Sequence, residues 1–245
     1  MAQVSHKVII LPYLIKHIPK SPHLNENAIV YAFDLDHTII KPKSGSKFSR
    51  GVDDWMFMKY TERNPQLDTL ELLTRLIENE PLAHIVIFSN QGAVTAVPSN
   101  SKSCTKYVGK VNAILSQIAK NDRSRVLLER LWVYASPKCP ASFLKKRGVK
   151  PNRVNKVATV TKNDAMTTSI DVSTFSLMRK PNSGMYDEFQ KDMKCGFDVK
   201  YYCGDAAGRA QDFSDSDKQY AAGLGIDFKT PEEVFGNAGI NAAAV

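Results

Sequence analysis

The sequence predicts an α/β fold, a doubly wound parallel sheet, and three observations carry that expectation. Its apolar runs of strand character are continuous rather than alternating, as strands covered on both faces require. Stretches with a helical period of apolar residues lie between those runs. Each run ends in small or polar residues, and in doubly wound sheets ligands bind just beyond the carboxyl ends of the strands.

In chain order, residues 8–15 are apolar but short, are interrupted by Pro12 and lack a small-residue cleavage site. They read as a strand rather than a signal peptide. The run Ile29-Val30-Tyr31-Ala32-Phe33 reads as the first strand of the parallel sheet, and residues 41–50, rich in Lys, Ser and Gly, as a surface loop. Residues 67–80 follow a helical period, with apolar positions at 67, 70, 72, 73, 76 and 77. Ile85-Val86-Ile87-Phe88 is the next strand, and residues 101–119 repeat the helical period at 104, 107, 108, 111, 114, 115 and 118. A further strand spans Leu131-Trp132-Val133-Tyr134-Ala135, followed by a stretch from about 138 to 174 without strong periodicity. Arg179-Lys180-Pro181 opens a helical segment with Pro181 suited to its first turn. Tyr201-Tyr202-Cys203 is the last strand.

The 245 residues, 43% of them hydrophobic, can bury a sizeable core. A single domain is expected over residues 1–236, with 237–245 as a disordered tail. No apolar run approaches the roughly 20 residues that cross a bilayer, so no membrane partner is expected and an intracellular protein is. Cys104, Cys139, Cys195 and Cys203 form no C-x-x-C pair, which implies neither a zinc site nor a disulfide framework. The formal net charge of +8 favours a polyanionic partner and says nothing about chemistry.

The chemistry-bearing residues follow the strands. Asp34 and Asp36, spaced i and i+2, leave an extended chain on one side. One can attack while the other handles a proton, although Asp-x-Asp is also common in turns and caps. Ser89 follows the second parallel strand, where a hydroxyl and free N–H groups can hold a phosphoryl oxygen, or simply make a turn. Lys180 lies just outside a helix start, as a phosphate ligand or an exposed lysine. Gly204-Asp205 presents a hard-oxygen ligand suited to Mg²⁺, or an Asx-turn.

Together, in this order, the four positions resemble the motifs of the haloacid dehalogenase superfamily. The wording around them is similar to the phosphatase domain of polynucleotide kinase 3′-phosphatases, and especially to stand-alone fungal DNA 3′-phosphatases. The stretches that carry this are residues 31–42 around Asp34-Leu35-Asp36-His37-Thr38, Ile87-Phe88-Ser89-Asn90-Gln91, Arg179-Lys180-Pro181-Asn182-Ser183-Gly184-Met185 and Tyr202-Cys203-Gly204-Asp205-Ala206-Ala207-Gly208-Arg209. Asp212-Phe213-Ser214 and Thr230-Pro231-Glu232-Glu233 also fit, so the likeness spans about residues 8–236.

That resemblance implies a haloacid-dehalogenase-like, Rossmannoid fold with only short cap insertions. It implies Asp34 as a covalent nucleophile, Asp36 as general acid and base, and Ser89 and Lys180 as phosphate ligands. Mg²⁺ would be held by Asp34, the Asp36 main-chain carbonyl and Asp205. The substrate implied is a DNA end bearing a 3′-phosphate, in strand-break repair in the nucleus, with DNA-repair proteins as candidate partners. A superfamily phosphatase acting on phosphoserine in proteins is the rival reading. A silent nucleic-acid-end binding module is a third, opposed by the intact catalytic set.

Two departures matter. The chain has no G-x-x-x-x-G-K-[ST], so 5′-kinase activity is not expected. Ala206 and Ala207 follow Asp205 where many superfamily members place a second Asp, so a carboxylate supporting the metal must come from elsewhere; Asp212 is the candidate. For nucleic acid, Arg179 is the candidate for a flanking phosphate because the family motif matches it. Lys102, Lys106 and Lys110, spaced i, i+4 and i+8, would form a basic stripe or ordinary helix decoration. Residues 143–156 carry Lys145, Lys146, Arg147, Lys150, Arg153 and Lys156 without an acid, as a backbone-tracking segment, a solvated loop or an import signal.

Overall fold

The computed structural model describes residues 5–61, 67–144 and 170–236. The chain begins with an antiparallel hairpin of β1 (His6–Leu11) and β2 (Leu14–Pro19), in which Leu11 pairs with Leu14. The single strand expected over residues 8–15 is therefore two. Pro12 has no N–H to give a ladder, so the chain turns at Pro12 and Tyr13.

β3 (Ala28–Phe33) leads into a small hairpin of β4 (Ile40–Lys41) and β5 (Met56–Phe57). Then come α1 (Thr69–Asn79), β6 (Ala83–Gln91), α2 (Lys102–Ile118) and α3 (Asp122–Arg125). A 3-10 turn (Val126–Glu129), β7 (Leu131–Pro137) and α4 (Ala141–Leu144) follow. The remainder comprises α5 (Val172–Leu177), α6 (Gly184–Met193), β8 (Phe197–Cys203), α7 (Ser216–Leu224), β9 (Phe228–Lys229) and a closing π-helical turn (Glu232–Gly236). The basic residues 145–156 and the tail 237–245 lie outside the described residues.

Seven strands form one sheet in the order β1-β2-β7-β6-β3-β8-β9. From β7 to β9 every neighbour is parallel, while the β1–β2 hairpin adds an antiparallel edge through β2 on β7. In chain order the parallel strands stand 3-2-1-4-5, so the winding reverses between β3 and β8. That reversal leaves a crevice at the carboxyl ends of these two strands.

Alternate residues of each strand serve opposite cores, as the pleat demands. Tyr31, Phe33, Ile85, Ile87, Val133 and Cys203 pack with Leu73 and Ile77 of α1 and with Val111 and Leu115 of α2. Val30, Ala32, Val86, Phe88, Trp132 and Tyr202 pack on the other face with Met185 and Phe189 of α6 and Tyr220 of α7. This double cover is why the strand sequences read as unbroken apolar runs.

Two local departures from expectation bear on the site. Helix α6 begins at Gly184, three residues after Pro181. Asn90 instead takes both main-chain groups of Lys180, accepting from the N–H and donating to the carbonyl, each at 3.0 Å. Ser89 lies within β6, paired with Ala135, rather than in a turn beyond it.

Residues 42–55, the loop of the small hairpin, dock on α2. Lys106 Nζ donates to the Arg50 carbonyl at 2.8 Å, and Val52 packs against Gly109, where a Cβ would come within 3.2 Å of a valine methyl. Inside the loop Asp54 accepts from the N–H groups of Ser44 and Arg50 at 2.9 and 2.8 Å.

Candidate active site

The crevice is where β3 delivers its first carboxylate. Asp34 continues the ladder one residue past β3, its N–H donating to Cys203 O at 2.8 Å, beside the Gly204-Asp205 end of β8. The chain then turns tightly. The N–H groups of Ile39 and Ile40 both donate to Leu35 O at 3.0 Å, and His37 adopts a left-handed φ of 65°. The Tyr60 hydroxyl braces the turn at the carbonyls of His37 and Thr38, at 3.0 and 2.9 Å.

Lys180 is the hub of the buried half of the site. Its ammonium donates to Asp34 Oδ1 at 2.6 Å, Asp217 Oδ1 at 2.7 Å and Tyr202 Oη at 2.8 Å, which uses all three of its protons. Tyr202 in turn donates to Asp217 Oδ1 at 3.0 Å. Burial disfavours the Lys180 charge, but Asp217 and Asp34 outweigh it and hold the ammonium above the ordinary lysine range. Tyr202 is pushed well above the usual tyrosine value by burial, then by Asp217 and Asp34, so it stays a donor.

Asp217 sits in the first turn of α7, 1% exposed, and accepts from the Ala206 N–H at 3.0 Å. Gly204 makes this approach possible, because a Cβ there would collide with the Asp217 carboxylate. Carboxylate oxygens of Asp34, Asp205 and Asp217 lie within 4.8 Å of one another. Three carboxylates thus face one ammonium. Burial raises the Asp34 pKa well above the carboxylate range against the pull of Lys180, and Asp217 and Asp205 add to the rise. Burial and then Asp217 push Asp205 up to about 6. Two uncompensated negative charges on hard oxygens are what a divalent cation of the Mg²⁺ class would neutralise, so the residues present fit one.

Asp217, and not the expected Asp212, is the acid that the fold places beside Asp34 and Asp205. Asp212 accepts from Arg209 Nε at 3.0 Å and from the N–H groups of Ala207 and Arg209 at 3.0 and 2.9 Å. Those donors occupy both its oxygens and close the loop after β8. The missed signal was position. Asp217 shares an i, i+3, i+4, i+7 stripe with Tyr220, Ala221 and Leu224, and an acid on the apolar face of a helix needs a partner.

The other half of the site surrounds Asp36. Lys110 Nζ donates to its Oδ1 at 3.1 Å and Gln91 Nε2 to its Oδ2 at 2.7 Å; the same Gln91 nitrogen reaches Ser89 Oγ at 2.8 Å. Lys110 is only 6% exposed, so it is not part of a basic stripe with Lys102 and Lys106, which are exposed. It stands at the edge of the apolar face of α2, between Tyr107 and Ile114, and turns inward. Lys106 is engaged with the docked loop as described above. Arg179 is exposed, and its guanidinium lies over the turn after β6, 3.4 Å from where a Cβ on Gly92 would be.

Beside these groups the surface carries two bare aromatic rings. Phe48 is 66% and Phe213 79% exposed, and Lys47 Nζ lies 5.7 Å from the first ring centre and 4.6 Å from the second. The Lys47 carbonyl is held by His37 Nε2 at 2.9 Å, which ties this corner to the residue after Asp36.

Comparison with known proteins adds independent findings. The family model described as Polynucleotide kinase 3 phosphatase matches residues 29–235. A polynucleotide 3′-phosphatase of Saccharomyces cerevisiae is 44% identical, covering 95% of this chain and 99% of its own, and one of Saccharomyces mikatae is 44% identical over 95% and 97%. A bifunctional polynucleotide phosphatase/kinase of Schizosaccharomyces pombe is 29% identical over 89% of this chain and 40% of its own. A solved structure from Mesorhizobium loti, described as a HAD-like phosphatase, aligns at a TM-score of 0.47 with 15% identity, over 86% of this chain and 76% of that one.

Proposed function

The chain belongs to the polynucleotide kinase 3 phosphatase family, and from that premise we propose that it removes 3′-phosphates from DNA strand ends through an aspartyl-phosphate on Asp34. The observation that carries the chemistry is the buried Asp34–Lys180–Asp217 core with Asp36 anchored beside it.

In this reading Asp34 attacks phosphorus. The Asp34–phosphorus bond forms, the bond from phosphorus to the sugar O3′ breaks, and the proton of Asp36 passes to O3′. Water then attacks the phosphoenzyme, Asp36 takes its proton, and the bond from phosphorus to Asp34 breaks to release inorganic phosphate. Lys180 supplies positive charge to Asp34 and to the phosphoryl oxygens, and the Ser89 hydroxyl donates to one of them. The need is large: a carboxylate and one phosphate charge about 4 Å apart repel by roughly 4 kcal/mol at an effective dielectric near 20. Asp34, Asp205 and the Asp36 main-chain carbonyl, with Asp217 beside them, would hold Mg²⁺, whose charge would screen that repulsion.

Recognition of the strand end falls to groups around the crevice. Arg179 suits a flanking phosphate. Phe48 and Phe213, with Lys47 between them, offer faces on which an unpaired base can stack. With this substrate the setting is repair of DNA strand breaks in the nucleus, which localisation of the tagged chain would check.

Phosphate release from matched 3′-phosphate and 5′-phosphate oligonucleotides and a phosphoserine peptide, with and without Mg²⁺, tests the substrate. Fastest release is expected from the 3′ end with Mg²⁺; faster release from the peptide would overturn the assignment. Asp34→Asn should remove turnover while the fold persists, and an active Asp34→Asn enzyme would remove the covalent route.

A further inference from the structure

We infer that Lys110 and Gln91 are positioning residues that aim the Asp36 carboxyl group at the leaving oxygen. The inference rests on the acid–base role given to Asp36 above.

Among the described residues, the Asp36 side chain is held by Lys110 and Gln91. Its side chain is 33% exposed and leaves the chain within a tight turn, so water competes for its oxygens. Lys110 and Gln91 take one oxygen each, at 3.1 and 2.7 Å. The Gln91 amide can point only its nitrogen at a carboxylate, since the reverse orientation would set oxygen against oxygen. The same nitrogen also reaches Ser89 Oγ at 2.8 Å, which fixes the plane of the amide that faces Asp36.

Lys110 holds its ammonium 5.8 Å from the Tyr107 ring centre and pairs it with Asp36. Its side chain is 8% exposed, and a buried ammonium requires a counter-charge; Asp36 supplies it across 74 residues of sequence. α2 is capped by Ser101 and packed along Cys104, Tyr107, Val111, Ile114 and Leu115, so the helix holds its place through apolar contacts that do not involve the Lys110 charge. Gln91 is the last residue of β6, paired with Pro137, so its backbone is equally fixed. Two elements held by their own packing therefore converge on one partly exposed carboxyl. Proton transfer to a departing oxygen depends steeply on such geometry, and a misplacement near 1 Å costs on the order of 10²-fold.

Leaving-group chemistry distinguishes positioning of the acid from a general structural role. An oligonucleotide ending in 3′-O-phosphate expels an alkoxide, which needs a proton. One ending in 3′-S-phosphate expels a thiolate, whose conjugate acid has a pKa near 8.5 as in a free thiol, and departs without one. Lys110→Met keeps the length of the side chain without its charge, and Gln91→Met keeps its shape without the amide. In rapid-quench experiments both variants should slow the first turnover of the oxygen ester by about tenfold or more. First turnover of the sulfur ester should stay within about threefold of wild type, a small barrier change on this scale. Water activation also uses Asp36, so later turnovers of the sulfur ester should lag and hydroxylamine-labile phosphate should build up on the protein.

Asp36→Asn sets the reference. If it slows both esters equally, the role assigned to Asp36 fails. If it discriminates between them while Lys110→Met and Gln91→Met slow both equally, or neither, the positioning inference is overturned. Should Lys110→Met melt early, Gln91→Met, which leaves no buried charge alone, decides the question by itself.

Discussion

A single buried acid separates a weak reading of this site from a strong one. Asp217 accepts from both Lys180 and Tyr202 and completes the carboxylate cluster, whereas Asp212 serves the loop through Arg209. Asp217→Asn should lower the turnover number by about 10²-fold or more, as loss of a preorganised charged group in a dry site does, and should raise the Mg²⁺ concentration needed. Asp212→Asn should stay within a few-fold of wild type and lose about 1 kcal/mol of stability, the scale of a partly exposed ion pair. Steady-state kinetics with Mg²⁺ titration and thermal melts check the pair; the reverse ranking would restore Asp212. Asp34, Asp36 and Asp205 were legible because they stand just past strands, and Ser89, inside β6, and Lys180, between α5 and α6, because they belong to motifs in a fixed order. Asp217, Lys110 and Tyr202 were not. Each is a polar residue inside an apolar pattern, and its partner lies far along the chain, where spacing carries no information.

At the scale of elements, strands were easier to read than their ends. The unbroken apolar runs marked β3, β6, β7 and β8 because both sheet faces are covered, but the turn at Pro12, which lacks an N–H, and the two Asn90 bonds to the Lys180 main chain ahead of α6 left no trace in the periodicity. The loop between β4 and β5 read as a surface segment, yet it docks on α2 and presents Phe48 beside Phe213 through Lys47. Phe213→Ala should raise the KM for a 3′-phosphorylated oligonucleotide by about tenfold, corresponding to base-stacking losses of about 1–3 kcal/mol. The turnover number should hold, because the ring touches no reacting group. An unchanged KM would show that bases do not stack there.

Across the whole molecule, buried histidines set a pH limit. Burial holds His17 at about 3 and His84 at about 4, with the nearby His6 and Arg130 charges reinforcing the respective shifts, against 6.5 for a free imidazole. Folded pKa values below the unfolded one mean that the unfolded chain binds more protons in that window. The penalty is absent above about 6.5 and grows as pH falls toward 3 and 4. At pH 5 each histidine should cost about 2 kcal/mol, so the pair should lower the melting temperature by roughly 10 °C relative to pH 7.5. Melts should be run with Mg²⁺, since the raised Asp34 and Asp205 values act in the opposite direction when no cation holds those carboxylates ionised. Replacing His17 by Phe should flatten the profile; an unchanged slope would assign the acid sensitivity elsewhere.

By itself the sequence determined the fold class, the order of the four motifs and, through their wording, the family. Those are properties of nearest neighbours along the chain: the period of burial and the residue that follows a strand. Tertiary structure decided which charges meet. Only the reversal of winding between β3 and β8 brings Asp34, Asp205, Asp217 and Lys180 into one buried cluster. Only the packing of α2 against the sheet turns Lys110 from a surface lysine into the partner of Asp36. The reason is physical: a charge taken out of water must find its counter-charge, and the distance that matters is measured through space.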